Sequence, residues 1–197
     1  MPTTPVTTAN SSSNGTQETI MLELVDENGN TIGTAEKLSA HQPPGRLHRA
    51  FSVFLFDQRG RLLIQRRALG KYHSPGVWSN TCCGHPYPGE APFAAAARRT
   101  HEELGISPSL LAEAGTVRYN HPDPGSGLVE QEYNHLFVGL ARSPLAPDPD
   151  EVGETAFVTP AELAARHAEG PFSAWFMTVL DAARPAVREL TGAAGGW

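Results

Sequence analysis

The sequence predicts a layered α/β/α domain in which a mixed β-sheet carries flanking helices. Three observations lead there. Strand-like segments fall into two groups separated by one long helical block and followed by two more helical segments, an order that suits a mixed sheet rather than alternating βαβ units. The segment RAFSVFLFD (49–57) is apolar almost without a break, as a strand covered on both faces requires. No G-x-G-x-x-G and no P-loop leads from a strand into a helix, which removes the common nucleotide-binding folds.

Taken in order, residues 1–18 are Thr, Ser, Asn, Pro and Gly with few apolar side chains, so they read as a disordered lead that cannot bury enough surface to offset its ordering entropy. IMLELVD (20–26) and TIGTAEKLS (31–39) read as a hairpin around Asn28-Gly29-Asn30. After QPPG, the strand at 49–57 and RLLIQRR (61–67) flank Gln58-Arg59-Gly60 as a second hairpin. A run dense in turn formers (71–90) precedes the helical block APFAAAARRTHEELG (91–105), which Gly105 stops with Pro108 behind it. GTVRYNH (115–121), VEQEYNHLFVGLA (129–141) and ETAFVTP (154–160) are further strands. Thr159 then caps a helix with Pro160 at its first position, and a last helix runs from about Ser173 to Thr191. Residues 19–192 thus form a single domain, and 193–197 are expected to be a flexible tail.

With 197 residues and 40% hydrophobic content the chain supports one core. It has no apolar run long enough to span a bilayer and no signal-like start, so a cytoplasmic protein is expected. Fifteen Lys+Arg against 21 Asp+Glu give a net charge of -6, which disfavours nucleic-acid and anionic-membrane partners and leaves room for a local basic pocket that takes a small anion. A small-molecule partner and a monomer or weak dimer are the expectation. The only cysteines, Cys82 and Cys83, are adjacent and cannot staple a fold, so either one matters as a reduced thiol.

The chemistry concentrates between Gly84 and Ile106. Gly84, five residues, Glu90, seven residues, Arg98, and then Glu102-Glu103-Leu104-Gly105-Ile106 resemble the Nudix box, in which a loop leads into a helix whose carboxylates hold Mg²⁺ on a diphosphate. On such a helix Arg98 meets Glu102 and Arg99 meets Glu103, since residues four apart share a face. For Arg98 with Glu102 an ordinary surface ion pair is an equally good reading. Arg99 and Thr100 stand where the box has Glu and an apolar residue, so one metal ligand is replaced by a cation.

On an extended segment Glu130 and Glu132 project from one face with Gln131 on the other, and two such carboxylates repel unless a cation or proton lies between them. Cys83 and His85 have the same spacing. Added to His41 and His48, these give three imidazoles and two carboxylates, donors suited to a six-coordinate divalent ion. Taken singly, each histidine is more often a surface or hydrogen-bonded residue than a ligand. His73, His101, His121, His135 and His167 are read as structural or exposed.

AEKLSAH (35–41), RLH (46–48), RRALGKYHSPGVWSNTCCGHP (66–86) and VEQE (129–132), together with the box, closely resemble the type I isopentenyl diphosphate isomerases, which are Nudix-like enzymes. The match runs from about Met21 to the last helix. It implies a Nudix-like fold and a 1,3-proton shift between isopentenyl diphosphate and dimethylallyl diphosphate. By the resemblance, His41, His48, His85, Glu130 and Glu132 hold one Mn²⁺, Zn²⁺ or Mg²⁺. Glu103, with the backbone carbonyl of Cys83, holds a Mg²⁺ that bridges to the diphosphate. Cys83 and Glu132 are the acid/base pair, read with Glu132 as acid and Cys83 as the base at C2, the reverse order staying open. Tyr119 hydrogen-bonds the acid, Trp175 lays its π face over the substrate carbons, and Lys37, Arg67, Lys71 and Arg99 bind the diphosphate. A nucleoside diphosphate hydrolase would fit the box but leave Cys83, the histidines and Arg99 unexplained together. A non-catalytic diphosphate-binding module would have no use for a thiol opposite two carboxylates.

Overall fold

A computed structural model of the chain describes residues 19–71, 73–142 and 144–197, so the expected lead over 1–18 lies outside the described residues. β1 (Met21–Val25) and β2 (Thr31–Glu36) form the first hairpin. Its turn is organised by Asp26, whose Oδ1 accepts the N–H groups of Asn28 and Asn30, while Gly29 takes the positive φ that the tight turn needs. The second strand ends sooner than its sequence suggests. The Glu36 carboxylate accepts from the Leu38 and Ser39 N–H groups and starts the short helix α1 (Lys37–His41), so KLS is helical and not extended.

β3 (His48–Phe56) is the spine. It pairs antiparallel with β1 and β6 (Cys82–Gly84) and parallel with β8 (Val129–Leu140), and β8 pairs antiparallel with the long β7 (Ser109–Pro122). The expected hairpin between β3 and β4 (Leu62–Arg67) is joined only at Phe56 and Leu62; beyond its tip β4 turns to β5 (Trp78–Ser79) and to β9 (Val152–Val158). The strands splay because each finds a longer partner elsewhere, β8 for β3 and β9 for β4.

The unbroken apolar run of β3 has the predicted cause. Phe51, Val53 and Leu55 face α2 (Pro92–Leu104), with Ala95, Ala96 and Leu104 packed on them, while Phe54 and Phe56 face α4 (Phe176–Gly195) through Phe176, Val179 and Leu180. α2 ends in a left-handed Gly105, and α3 (Pro160–Glu169) starts with a reciprocal Thr159–Glu162 capping box. The C-terminal residues depart from the expected flexible tail. Trp197 is buried, packs edge-on to Phe56 and donates its indole N–H to the Gly60 carbonyl at 2.7 Å, because a large apolar ring gains more by covering the end of the core than by fraying into water. No described helix is long and apolar enough to cross a membrane.

Candidate active site

Sheet register brings together residues far apart in the chain. His48 stands opposite Glu132 on the parallel pair β3/β8, Tyr119 stands opposite Glu132 on β7/β8, and Ser52 stands opposite Cys83 on β3/β6. Alternation then puts His48, Glu130, Glu132, Tyr119 and Cys83 on the α4 side of the sheet. Cys82, one residue away, points into the α2 side with Phe51 and Val53. His41 enters from the end of α1 and His85 from just beyond β6.

The five predicted donors converge. One ligand atom from each of His41, His48, His85, Glu130 and Glu132 lies within 4.8 Å of all the others. His41 Nδ1 donates to the Lys37 carbonyl at 2.7 Å and His48 Nδ1 to the Arg46 carbonyl at 2.8 Å, which leaves both Nε2 atoms for the cluster. His41 Nε2 lies 3.3 Å from Glu130, His85 Nε2 lies 3.1 Å from Glu132, and the Nε2 atoms of His48 and His85 are 3.2 Å apart. Burial and the His48 ring push His85 down to about 4, so at neutral pH it offers a lone pair. Burial opposes ionisation of Glu132, yet its contacts with His48 and His85 hold it well below the usual carboxylate range. Imidazole nitrogens and carboxylate oxygens aimed at one point fit a divalent cation.

Of the other predicted residues, all but Tyr119 line one cavity of about 220 Å³ with His41, His85, Glu130 and Glu132, and Tyr119 reaches it through Glu132. Cys83 faces it, and burial, helped by the nearby carboxylates against Arg67, pushes the thiol up to about 11. The Tyr119 hydroxyl donates to Glu132 Oε2 and keeps its proton through burial and that carboxylate. Trp175, the residue before α4, presents its ring to the cavity with the Arg67 guanidinium 5.8 Å from the ring centre. Lys37, Arg67, Lys71 and Arg99 form the basic end, where two of the four are paired with carboxylates. Arg99 donates to Glu102 at 2.8 Å and to Glu103 at 2.5 Å, and Lys71 pairs with Glu151. Glu103 is buried and also accepts from Gln65 at 2.8 Å, while Arg98 binds Glu90 through two bonds of 2.8 Å and serves the loop.

Three participants escaped the sequence. Asn134 donates to both Glu132 Oε2 and the Tyr119 hydroxyl, and its parity with Glu130 and Glu132 on one strand was the signal that could have found it. Glu151 sits among the basic residues, with nothing in its polar connection to mark it. His73, read as structural or exposed, is buried and lies 2.6 Å from Glu130; only the fold of the β4–β5 loop brings it there.

Residues 46–176 match the NUDIX domain family. A Streptomyces griseus protein named isopentenyl-diphosphate Delta-isomerase is 85% identical over the full length of both chains. One of the same name from Nocardia farcinica is 47% identical over 87% of this chain and 98% of its own. Among solved structures, DR0079 from Deinococcus radiodurans superposes with a TM-score of 0.64 at 22% identity, covering 86% of this chain and 98% of its own, a likeness of fold alone. The MutT protein from Methanosarcina mazei gives 0.55 at 18% identity, over 73% and 95%.

Proposed function

Since the chain belongs to the isopentenyl-diphosphate Delta-isomerase family and carries a NUDIX domain, we infer that it interconverts isopentenyl and dimethylallyl diphosphate by a metal-dependent 1,3-proton shift. The observation that carries the reading is that a thiol, Cys83, and a carboxylate, Glu132, line one cavity with Lys37, Arg67, Lys71 and Arg99. A hydrolase needs water placed on phosphorus, whereas here the reactive groups lie beyond the basic end, where a hydrocarbon tail would reach.

Lys37, Arg67, Lys71 and Arg99 hold the diphosphate as a handle, Arg99 exchanging a carboxylate partner for a phosphate oxygen. His41, His48, His85, Glu130 and Glu132 would hold one Mn²⁺, Zn²⁺ or Mg²⁺, and Glu103, with the Cys83 carbonyl, a Mg²⁺ at the diphosphate. When bound, such ions neutralise phosphate charge and lower the proton affinity of a ligating carboxylate. Cys83 and Glu132 exchange protons with the carbon chain, one delivering to an end carbon and the other accepting from the opposite end of the allylic unit. With Glu132 as the acid toward isopentenyl diphosphate Cys83 is the base, and the two roles exchange when dimethylallyl diphosphate is the substrate. Tyr119 and Asn134 orient Glu132 Oε2, and the Trp175 face stabilises positive charge at the branched carbon. A working thiol suits the reducing cytoplasm, and a net charge of -6 with a small cavity suits a small-molecule substrate, not nucleic acid or membrane, for a monomer or weak dimer.

Proton NMR of isopentenyl diphosphate incubated with the protein and Mg²⁺ in D₂O tests the reading. Dimethylallyl diphosphate carrying deuterium in a methyl group, with no phosphate released, is expected. Phosphate release from nucleoside diphosphates far above any isomerisation would overturn it.

A further inference from the structure

His73 belongs neither to the donor set nor to the basic end, yet it touches a principal residue of each part of the chemistry. It is buried in the loop between β4 and β5. Its Nε2 lies 2.6 Å from Glu130 Oε1 and 3.5 Å from Asp123 Oδ2, while Glu130 Oε2 is the oxygen that faces His41 at 3.3 Å. The two oxygens of Glu130 are thus divided between His73 and the metal cluster. The His73 ring also lies flat against Trp175, with centroids 5.4 Å apart and planes 12° from parallel.

The loop that carries His73 is itself held. Arg67 donates to the His73 and Ser74 carbonyls at 3.0 and 3.1 Å, and the Ser74 hydroxyl donates to Asp123 at 3.3 Å. Asp123, from the β7–β8 turn, is fixed in turn by Ser126 at 2.7 Å and by the Gly125 N–H at 3.2 Å. A side chain held through its backbone and its ring face, with Nε2 against two carboxylates, is restricted in its geometry and passes that restriction to the groups it touches.

We propose that His73 is a positioning residue that sets the carboxylate plane of Glu130 for metal binding and, with its ring face, the plane of the Trp175 indole over the substrate carbons. The proposal rests on the metal-dependent isomerase reading, and two variants separate its halves. His73→Phe keeps the flat ring and loses the nitrogen; His73→Gln keeps a nitrogen donor and loses the ring. Zn²⁺ affinity, measured by competition with a chromophoric chelator, is expected to fall about 10- to 100-fold in His73→Phe and to stay within about threefold of wild type in His73→Gln. In His73→Gln kcat is expected to drop about tenfold with KM nearly unchanged, because the platform under the indole is gone while the diphosphate handle is intact. Both variants within twofold of wild type in affinity and kcat, or both losing affinity and kcat alike, would overturn the proposal. His41→Ala is the control: no loss of Zn²⁺ affinity there would overturn the metal reading and this proposal together, whereas loss there with none in His73→Phe would overturn the proposal alone.

Discussion

At one end of the cavity His41, His48, His85, Glu130 and Glu132 have side-chain exposures of 13% or less; at the other, Lys71, Arg99 and Glu151 are 21–25% exposed and paired with one another. The buried end is built by sheet register and by second contacts that fix each ring and carboxylate: backbone carbonyls on His41 and His48, a phenol and an amide on Glu132. The basic end is built by helix spacing and loop placement, and its charges satisfy each other through long side chains able to change partner. One end is preorganised, as proton transfer to and from carbon requires, and the other is exchangeable, as substrate entry and release require.

The largest effects should come from the preorganised end. Stripping divalent ions with a strong chelator should abolish turnover, and Mg²⁺ with a transition ion should restore it. Full activity in a verified metal-free sample would erase the distinction between the ends. Cys83→Ala should cut kcat by several orders of magnitude, and Cys82→Ala should stay within a few-fold because that thiol is on the other side of the sheet. Equal losses in the two folded variants would mean that the strand alternation does not assign the reactive thiol.

At the exchangeable end the loss should appear in binding. Arg99→Gln removes a guanidinium from the basic end and leaves Glu102 and Glu103 with one cation fewer, so KM should rise about 10- to 100-fold with a smaller change in kcat if that end binds the diphosphate. Steady-state kinetics with isopentenyl diphosphate reads the split. A collapse of kcat at unchanged KM would place Arg99 with the chemistry instead. Tyr119→Phe should fall between the ends in kind and below both in size, lowering kcat about tenfold at constant KM, since Asn134 still holds Glu132 Oε2.

Helix-borne parts of the site were legible in the sequence. The extent of α2, its Gly105 stop, and the Arg98–Glu102 and Arg99–Glu103 pairs all follow from spacing four apart. Glu130 and Glu132 were legible for the matching reason in a strand, and the resemblance to the isomerase family supplied His41, His48 and His85. What escaped depends on long-range choices. Nothing local says that β3 will leave β4 for β8, that Glu36 will turn KLS into a helix, or that the loop of His73 will fold back onto Glu130. Trp197 escaped because a terminal Gly-Gly-Trp has the composition of a frayed end, and only the Gly60 carbonyl and the Phe56 edge give it a seat.

The smallest expected effect tests whether Glu90, a box residue that does not line the cavity, is scaffold. Glu90 accepts two bonds from Arg98 at 2.8 Å, and Arg98 lies 4.2 Å over the Tyr87 ring, so the group closes the loop that carries His85 into α2. The Arg98 guanidinium, opposed by burial and helped by the Tyr87 N–H, holds the Glu90 carboxyl below its ordinary value. A carboxyl with a lowered folded-state pKa adds stability that is present above its unfolded pKa and disappears as pH falls through the folded one. Glu90→Gln should therefore cost about 1 kcal/mol at pH 7, a modest figure because the pair is partly exposed, and the gap to wild type should close on going from about pH 5 to below the folded-state pKa. Urea unfolding at pH 7 and at successively lower pH measures it. Turnover at pH 7 should stay within a few-fold of wild type if Glu90 only supports the loop. A gap that widens toward acid would reverse the sign, and a loss of kcat as deep as that of Cys83→Ala would move Glu90 from the scaffold to the chemistry.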